Sequence, residues 1–423
     1  MHFFEYKNDQ LYCENVPIAS IAEQLGTPVF VYSRETLERH FRVFEEPFQK
    51  VDHLICYSMK ACSNIGILRL FANLGSGVDI VSGGELYRAI KAGIDPHKIV
   101  YSGVGKRESE IDEALEADIL MFNVESEGEL ETINQRAIMR NQKARIALRV
   151  NPDVDPKTHP YISTGLKTNK FGIDISKALN LYKQAKTLKG VEPVGIDCHI
   201  GSQLTELSPF RETVSILREL LKTLRQEGID IKYLDVGGGL GIPYDQETPP
   251  PPSAYGSAIL EALSEMDVKI ILEPGRVIVG NAGLMVTQVL YLKQSDEKNF
   301  VIVDAAMNDL VRPSLYKAHH TIVPVRKPKE RIKAEMMVAD IVGPICESGD
   351  FIARSREIDC PKVGDYLAVM SAGAYGFSMS SNYNSRTRAC EVLVSGDKFD
   401  IIRKRESYED LTRGEQIPEE IIS

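Results

Sequence analysis

A chain of 423 residues is too long for one ordinary core, since single cores stop growing beyond roughly 250–300 residues, so two domains are expected. Hydrophobic residues at 43% and charged residues at 26% are ordinary for a globular protein, and no apolar run approaches the ~20 residues of a membrane-spanning helix. A formal net charge of -10 argues against a nucleic-acid partner, and the polar stretch 1–10 carries no signal-peptide core, so a cytoplasmic protein with no membrane and no nucleic-acid partner is expected.

In chain order, 28–32 reads as a strand, and 35–48 reads as a helix with Leu37, Phe41, Phe44 and Phe48 on one face. From residue 53 one theme recurs: a short β-branched run, a polar or glycine turn, then apolar residues at i, i+3 and i+4. The predicted strands are 53–59, 77–81, 99–103, 119–123, 145–150, 194–200, 232–236 and 269–273. The predicted helices are 84–92, 108–117, 125–139, 176–188 and 210–226, with another near 255–264 after the surface loop Pro249–Pro252. Eight such strands alternating with helices predict an α/β domain, a (β/α)8 TIM-type barrel spanning 35–277, with a doubly wound open sheet as the runner-up. After about residue 280 long helical patterns mostly stop. Strands are predicted at 286–292, 300–304, 321–325, 335–342, 366–370, 386–394 and 399–403. These make 278–423 a β-rich domain, sandwich or barrel, which 1–34 joins.

The seven cysteines are scattered, their count is odd and none forms a CxxC pair, so neither a disulfide framework nor a structural metal site is expected. In a barrel of this type the chemistry lies at the C-terminal ends of the strands. Polar residues and glycines gather there: Lys60 after strand one, Asp79 in strand two, Asn123 in four, Arg149 in five, His199 and Ser202 after six, Gly237-Gly238-Gly239 after seven, and Glu273-Pro274-Gly275-Arg276 after eight. A lysine after a strand is ordinarily a solvated loop residue; one that ends a mostly apolar strand at a barrel mouth is a candidate Schiff-base nucleophile. The triple glycine can be a flexible turn or a phosphate cradle, since glycines let backbone N–H groups approach an anion. Glu273 can simply pair with Arg276, or it can hold a pyridine nitrogen protonated. His199 can be a satisfied core histidine or can face a cofactor ring.

Taken together, Tyr57-Ser58-Met59-Lys60-Ala61, His199-Ile200-Gly201-Ser202, Gly237-Gly238-Gly239, Glu273-Pro274-Gly275-Arg276 and Cys346-Glu347-Ser348-Gly349-Asp350 resemble, in order, the motifs of the alanine-racemase-fold decarboxylases, which include ornithine, arginine and diaminopimelate decarboxylases. The segments His159-Pro160-Tyr161-Ile162-Ser163-Thr164-Gly165 and Asn169-Lys170-Phe171-Gly172, and Arg312-Pro313 with Tyr316, resemble the diaminopimelate-specific members. The family usually has a small residue before the lysine and Ala-Asn after it; here Met59 precedes Lys60 and Ala61-Cys62 follows.

The resemblance implies pyridoxal 5'-phosphate as cofactor and Lys60 as its Schiff-base lysine. It implies that His199 stacks on the pyridine ring and that Glu273 pairs with the ring nitrogen. Ser202, Gly238, Gly239, the loop with Gly275 and Arg276, and Tyr375 would hold the phosphate. Arg276, Arg312, Tyr316 and Tyr375 would bind substrate, with the arginines and Tyr316 on its distal carboxylate. Cys346 and Glu347 would come from the partner of a homodimer, Cys346 as proton donor and Glu347 on the distal ammonium. Asp79 and Arg149 would support these groups. The implied reaction is decarboxylation of meso-2,6-diaminopimelate to L-lysine, the last step of lysine biosynthesis. Ornithine or arginine decarboxylation is the alternative, although Arg276 and Arg312 together favour a substrate with a second carboxylate. A racemase would need a second acid/base on the other cofactor face, for which no motif is seen. A protein that only binds a partner would not need Lys60, His199, Glu273 and Cys346 together.

Overall fold

A computed structural model describes residues 2–155, 169–264, 266–327 and 336–421. The chain forms two compact units, Leu37–Gly280 and Met1–Thr36 with Asn281–Ser423.

The first unit is a closed ring of eight parallel strands: β1 His53–Ser58, β2 Gly77–Ile80, β3 Ile99–Tyr101, β4 Met121–Val124, β5 Ala144–Asn151, β6 Val191–Asp197, β7 Tyr233–Asp235 and β8 Lys269–Leu272. β8 pairs back onto β1, with Ile271 opposite Leu54, while Asn123 of β4 lies opposite Ala147 of β5. That closure excludes the open doubly wound sheet. Leu54, Cys56, Val100, Met121, Ala147, Val194 and Ile271 form a buried apolar cluster between the strands, as the alternation of inward side chains requires.

The helix Arg34–Glu45 arises from the apolar stripe read in the sequence. Leu37, Phe41, Phe44 and Phe48 are all buried; Phe41 stacks on Phe71 and Phe44 meets Tyr255. The helix Ile65–Asn73 was not expected, although Ile67, Leu68, Leu70 and Phe71 form its buried face; an apolar run this short does not by its pattern alone tell a helix from a strand. β6 begins and ends three residues earlier than predicted. Cys198-His199-Ile200 reads as a strand continuation, but the chain leaves the ladder after Asp197, and His199 turns to the neighbouring glycine loop.

The second unit is β-rich. Its main sheet runs through β9 Gly283–Gln294, β10 Asn299–Val303, β12 Met336–Val342 and β13 Phe351–Asp359 on one side, and β15 Cys390–Ser395 and β16 Lys398–Arg403 on the other. Between them, the strand Val29–Ser33 pairs antiparallel with β9 and parallel with β15. β14 Tyr366–Val369 pairs with β9 and with β11 Ile322–Pro324. Val29, Val31, Leu284, Val286, Ala368, Val392 and Val394 are buried together in its core. β13 went unread because FIARSREID places charged residues where an alternating pattern would be counted. None of the seven cysteines is in a disulfide, and among the described residues no helix is long and apolar enough to cross a membrane.

Candidate active site

After Ser58 the chain leaves β1 in a single 3-10 turn, Met59–Ala61, which carries Lys60 out at the mouth of the ring. Lys60 Nζ lies 2.8 Å from Oδ2 of Asp79, a fully buried residue of β2. The Ser58 hydroxyl donates to the same oxygen at 2.7 Å. Asp79 Oδ1 is buried and has no hydrogen-bond partner among the described residues. Met59 and Cys62 are buried beside this turn, and the Tyr57 hydroxyl donates to the Cys62 carbonyl at 3.0 Å. The Lys60 side chain stays 36% exposed, which leaves the amine open to a reactant. Next to the pair, burial and then the charge of Asp79 push the Glu85 carboxyl up to about 7.

Across the ring the ends of β6, β7 and β8 bring three buried carboxyl groups together. Asp197, Asp235 and Glu273 each place an oxygen within 4.8 Å of the others. Gly237 N–H donates to Asp235 Oδ1 at 3.0 Å, and the Asn123 amide approaches Asp235 Oδ2 at 3.5 Å. Ser102 lies 3.5 Å from Glu273 Oε1. The nearest opposite charge on Asp197 is Arg149 at 4.0 Å, itself held by Glu125 at 2.7 Å. Burial is the first cause that drives all three upward; the charge of Asp79 adds to it at Asp235, which rises to about 7, and the charge of Asp235 adds to it at Glu273 and Asp197, which rise well above the ordinary carboxyl range. At least one of these groups carries a proton near neutrality.

The loop after β7 packs against both neighbours. A Cβ on Gly238 would lie 2.1 Å from the Glu273 carbonyl oxygen, and one on Gly239, whose φ is +108°, 2.3 Å from that of Gly201. Only glycine allows this approach. Gly238 N–H donates to His199 Nδ1 at 3.2 Å, so that nitrogen carries no proton. Burial, then the charges of Lys60 and Arg149, hold His199 well below the usual histidine range, and it is neutral. Arg276 is buried where the β8 loop begins a short helix; its Nη1 donates to Tyr244 at 2.9 Å and its Nη2 to Ser202 at 3.0 Å. Gly275 stands over the Lys60 turn, within 3.2 Å of Ala61 for an added Cβ. Lys60, Asp79, Arg149, His199, Ser202, Gly238, Gly239, Glu273, Gly275 and Arg276 are thus all at the same end of one ring.

The other five expected residues lie in the β-rich unit. Arg312 and Tyr316 open and close the short helix Arg312–Tyr316, with Arg312 buried. Cys346 and Glu347 are exposed on the loop after β12. Asp350 clasps that loop, accepting from Ile345 N–H and Met307 N–H at 2.7 Å each. Ser314 ties helix to loop by donating to the Gly349 carbonyl at 2.5 Å. Cys346 N–H donates to Asn384 at 2.9 Å, and the Tyr383 hydroxyl bonds to Glu347, which raises the pKa of that tyrosine. Tyr375 is partly buried in a left-handed turn, φ +57°.

Sequence reasoning missed Asp197, Asp235, Glu125, Tyr244 and His320. The first two had a signal, a lone acid ending an apolar strand, that many solvated strand ends share. His159-Pro160-Tyr161-Ile162-Ser163-Thr164-Gly165 lies outside the described residues. Of the segment that follows it, Gly172 N–H donates to Glu125 at 2.8 Å.

Residues 34–280 match the family described as pyridoxal-dependent decarboxylase, pyridoxal binding domain. The chain is 53% identical over 412 residues to a diaminopimelate decarboxylase of Haemophilus influenzae, covering 97% of this chain and 98% of that one. It is 53% identical over 408 residues to one of Aquifex aeolicus, covering 96% of each. Among solved structures it resembles diaminopimelate decarboxylase from Helicobacter pylori complexed with L-lysine, with a TM-score of 0.90, 46% identity and coverage of 94% and 98%.

Proposed function

Because the chain belongs to the pyridoxal-dependent decarboxylase family, among its diaminopimelate decarboxylases, we propose that it converts meso-2,6-diaminopimelate to L-lysine and carbon dioxide, the closing step of lysine biosynthesis. The residues at the ring mouth fit pyridoxal 5'-phosphate. Lys60 offers an accessible amine, Asp79 Oδ1 is a buried acceptor without a partner among the described residues, and the glycine loop beside Ser202 and Arg276 makes a cationic corner for an anion. When bound, the cofactor supplies an electron sink for the pair that departing carbon dioxide leaves behind.

The chain's own residues do the rest. Lys60 is the amine that holds the cofactor, and Asp79 and Ser58 fix its position. His199, kept neutral by the Gly238 N–H, presents a flat uncharged ring. Glu273, whose carboxyl burial pushes well above the usual range, would be the residue that holds a basic ring nitrogen and supplies it with a proton. Ser202, Gly238, Gly239, Gly275, Arg276 and Tyr375 are assigned to the phosphate, and Arg149 holds the Asp197 side of the cluster. Arg312, Tyr316 and Arg276 are assigned to the distal carboxylate, Glu347 to the distal ammonium, and Cys346 to protonation of the reacting carbon. The exposure of Cys346 and Glu347 on a braced loop supports their delivery to the site of a second copy in a homodimer. Such an activity is expected in the cytoplasm.

The observation that carries the substrate is Arg312, a guanidinium 5% exposed and held in place within its unit. A distal carboxylate pairs with arginine strongly and directionally, and a substrate lacking it leaves buried donors unpaired. The test is a substrate panel scored by carbon dioxide release. Diaminopimelate is expected to exceed lysine, ornithine and arginine by about 10⁴-fold in kcat/KM. A preference for ornithine or arginine would overturn the substrate while leaving the family intact.

A further inference from the structure

The sequence offers no role for His320, which is fully buried four residues past the helix that carries Arg312. Two contacts of its ring are 2.8 Å long: Nε2 with Arg312 Nη1, and Nδ1 with the Met370 carbonyl oxygen. These contacts fix its state. A guanidinium has only donors, so Nε2 must accept; a carbonyl can only accept, so Nδ1 must carry the proton. One neutral tautomer satisfies both, and a doubly protonated ring would set N–H against N–H and two positive charges side by side. The anchor behind it is rigid, because Met370 N–H donates to the Thr321 carbonyl at 2.8 Å. The backbone of His320 is held as well, its carbonyl accepting from Arg356 at 2.8 Å.

We propose that His320 is a positioning residue for substrate selection: a neutral imidazole, locked between Met370 and Arg312, that fixes the guanidinium which meets the distal carboxylate. This rests on the assignment of Arg312 above. Most buried histidines are simply satisfied within a core. This one turns its Nε2 lone pair to the residue assigned to the part of the substrate that distinguishes diaminopimelate from ornithine or arginine. A long, flexible side chain loses rotamer freedom when ordered by substrate, and holding Arg312 in advance removes that cost from binding.

Two near-isosteric variants separate holding Arg312 from filling the core. His320→Gln places an amide oxygen near the Nε2 position and keeps an acceptor for Arg312. His320→Asn reaches only as far as Nδ1, and keeps a group for Met370 but none for Arg312. In the loaded full-length enzyme, His320→Asn is expected to raise KM for diaminopimelate by about 10- to 100-fold, with His320→Gln within about fivefold of wild type. Both should keep the wild-type cofactor absorbance and a thermal midpoint close to each other. In an Arg312→Ala background, His320→Asn should add nothing, because a group that acts through another has no effect once that other is gone. Nitrogen-15 histidine spectra should show a neutral ring protonated at Nδ1. If Arg312→Ala itself is silent, the assignment of Arg312 fails. If Arg312→Ala is damaging but the His320→Asn effect is absent, is matched by Gln, or adds fully in the double variant, then His320 is structural and the inference falls. A ring protonated at Nε2 would also overturn it.

Discussion

The two units hold the residues assigned to function in opposite ways. At the mouth of the strand ring, Asp79, Asp197, Asp235 and Glu273 are buried at strand ends, where backbone position is fixed by parallel hydrogen bonding on both sides. In the β-rich unit, Cys346 and Glu347 stand exposed on a loop, and Arg312 sits on a helix of five residues, all held by side-chain clasps: Asp350 on two N–H groups, Ser314 on Gly349, His320 on Arg312. A strand end gives a carboxyl group a low-dielectric setting and so controls its proton. A clasped loop gives reach and can be altered without opening a core. The first arrangement suits groups that control a proton in a dry setting, and the second suits groups that must reach a substrate, whether to choose it, as assigned to Arg312 and Glu347, or to protonate it, as assigned to Cys346.

The sharpest way to break this contrast is at Lys60. Lys60→Ala should abolish turnover with every amino acid tested, by at least about 10⁴-fold, together with the visible absorbance of the bound cofactor. Measurable turnover of any substrate by a variant confirmed by mass would remove the central assignment. Arg312→Ala comes next. It should lower kcat/KM for diaminopimelate by about 10²- to 10³-fold while leaving the cofactor absorbance at its wild-type position. A changed spectrum would mean that the division between the units is false.

The ring was legible because its strands are short β-branched runs with helices between them, and Lys60, the triple glycine and Glu273 stood out by their place at strand ends. The carboxyl cluster was not legible. Asp197 and Asp235 look like ordinary strand-end acids, and only closure of the ring, with β6, β7 and β8 side by side, brings them to Glu273 within 4.8 Å. His320 was hidden for a related reason. What fixes its tautomer is Met370, 50 residues away, and nothing local to the histidine announces that contact. Helix Ile65–Asn73 escaped because its nine residues, with Ile67, Leu68, Leu70 and Phe71 buried, are too few for helical period to outweigh a strand-like apolar run. Pattern reports which face is buried; it does not report what meets there.

A smaller effect tests the delivery of Cys346. Lys60→Ala and Cys346→Ala, each inactive alone, should recover about one quarter of wild-type activity when mixed in equal amounts and allowed to exchange subunits, since half of the dimers are hybrids with one intact site in two. Analytical ultracentrifugation of labelled chains confirms exchange. Exchange without recovery would mean that Lys60 and Cys346 act within one chain.

The smallest effect concerns the proton in the buried cluster. Asp235 has a folded-state pKa raised to about 7, by burial first and then, among charges, by Asp79. In the unfolded chain a carboxyl group titrates near ~4. As pH rises between those values the unfolded state releases a proton that the folded state retains, so stability falls across that window and levels off above it. Asp235→Asn keeps an acceptor for the Gly237 N–H and removes the titration. Relative to wild type, the cofactor-free variant should therefore gain stability between about pH 4.5 and pH 7.5, by roughly 1–3 kcal/mol, because Asp197 and Glu273 remain to share the protons that are left. Thermal melts of both proteins at closely spaced pH values read this directly. Parallel pH slopes would mean that Asp235 is ionised in the folded ring despite its surroundings, and that the cluster stores its proton on Asp197 or Glu273 instead.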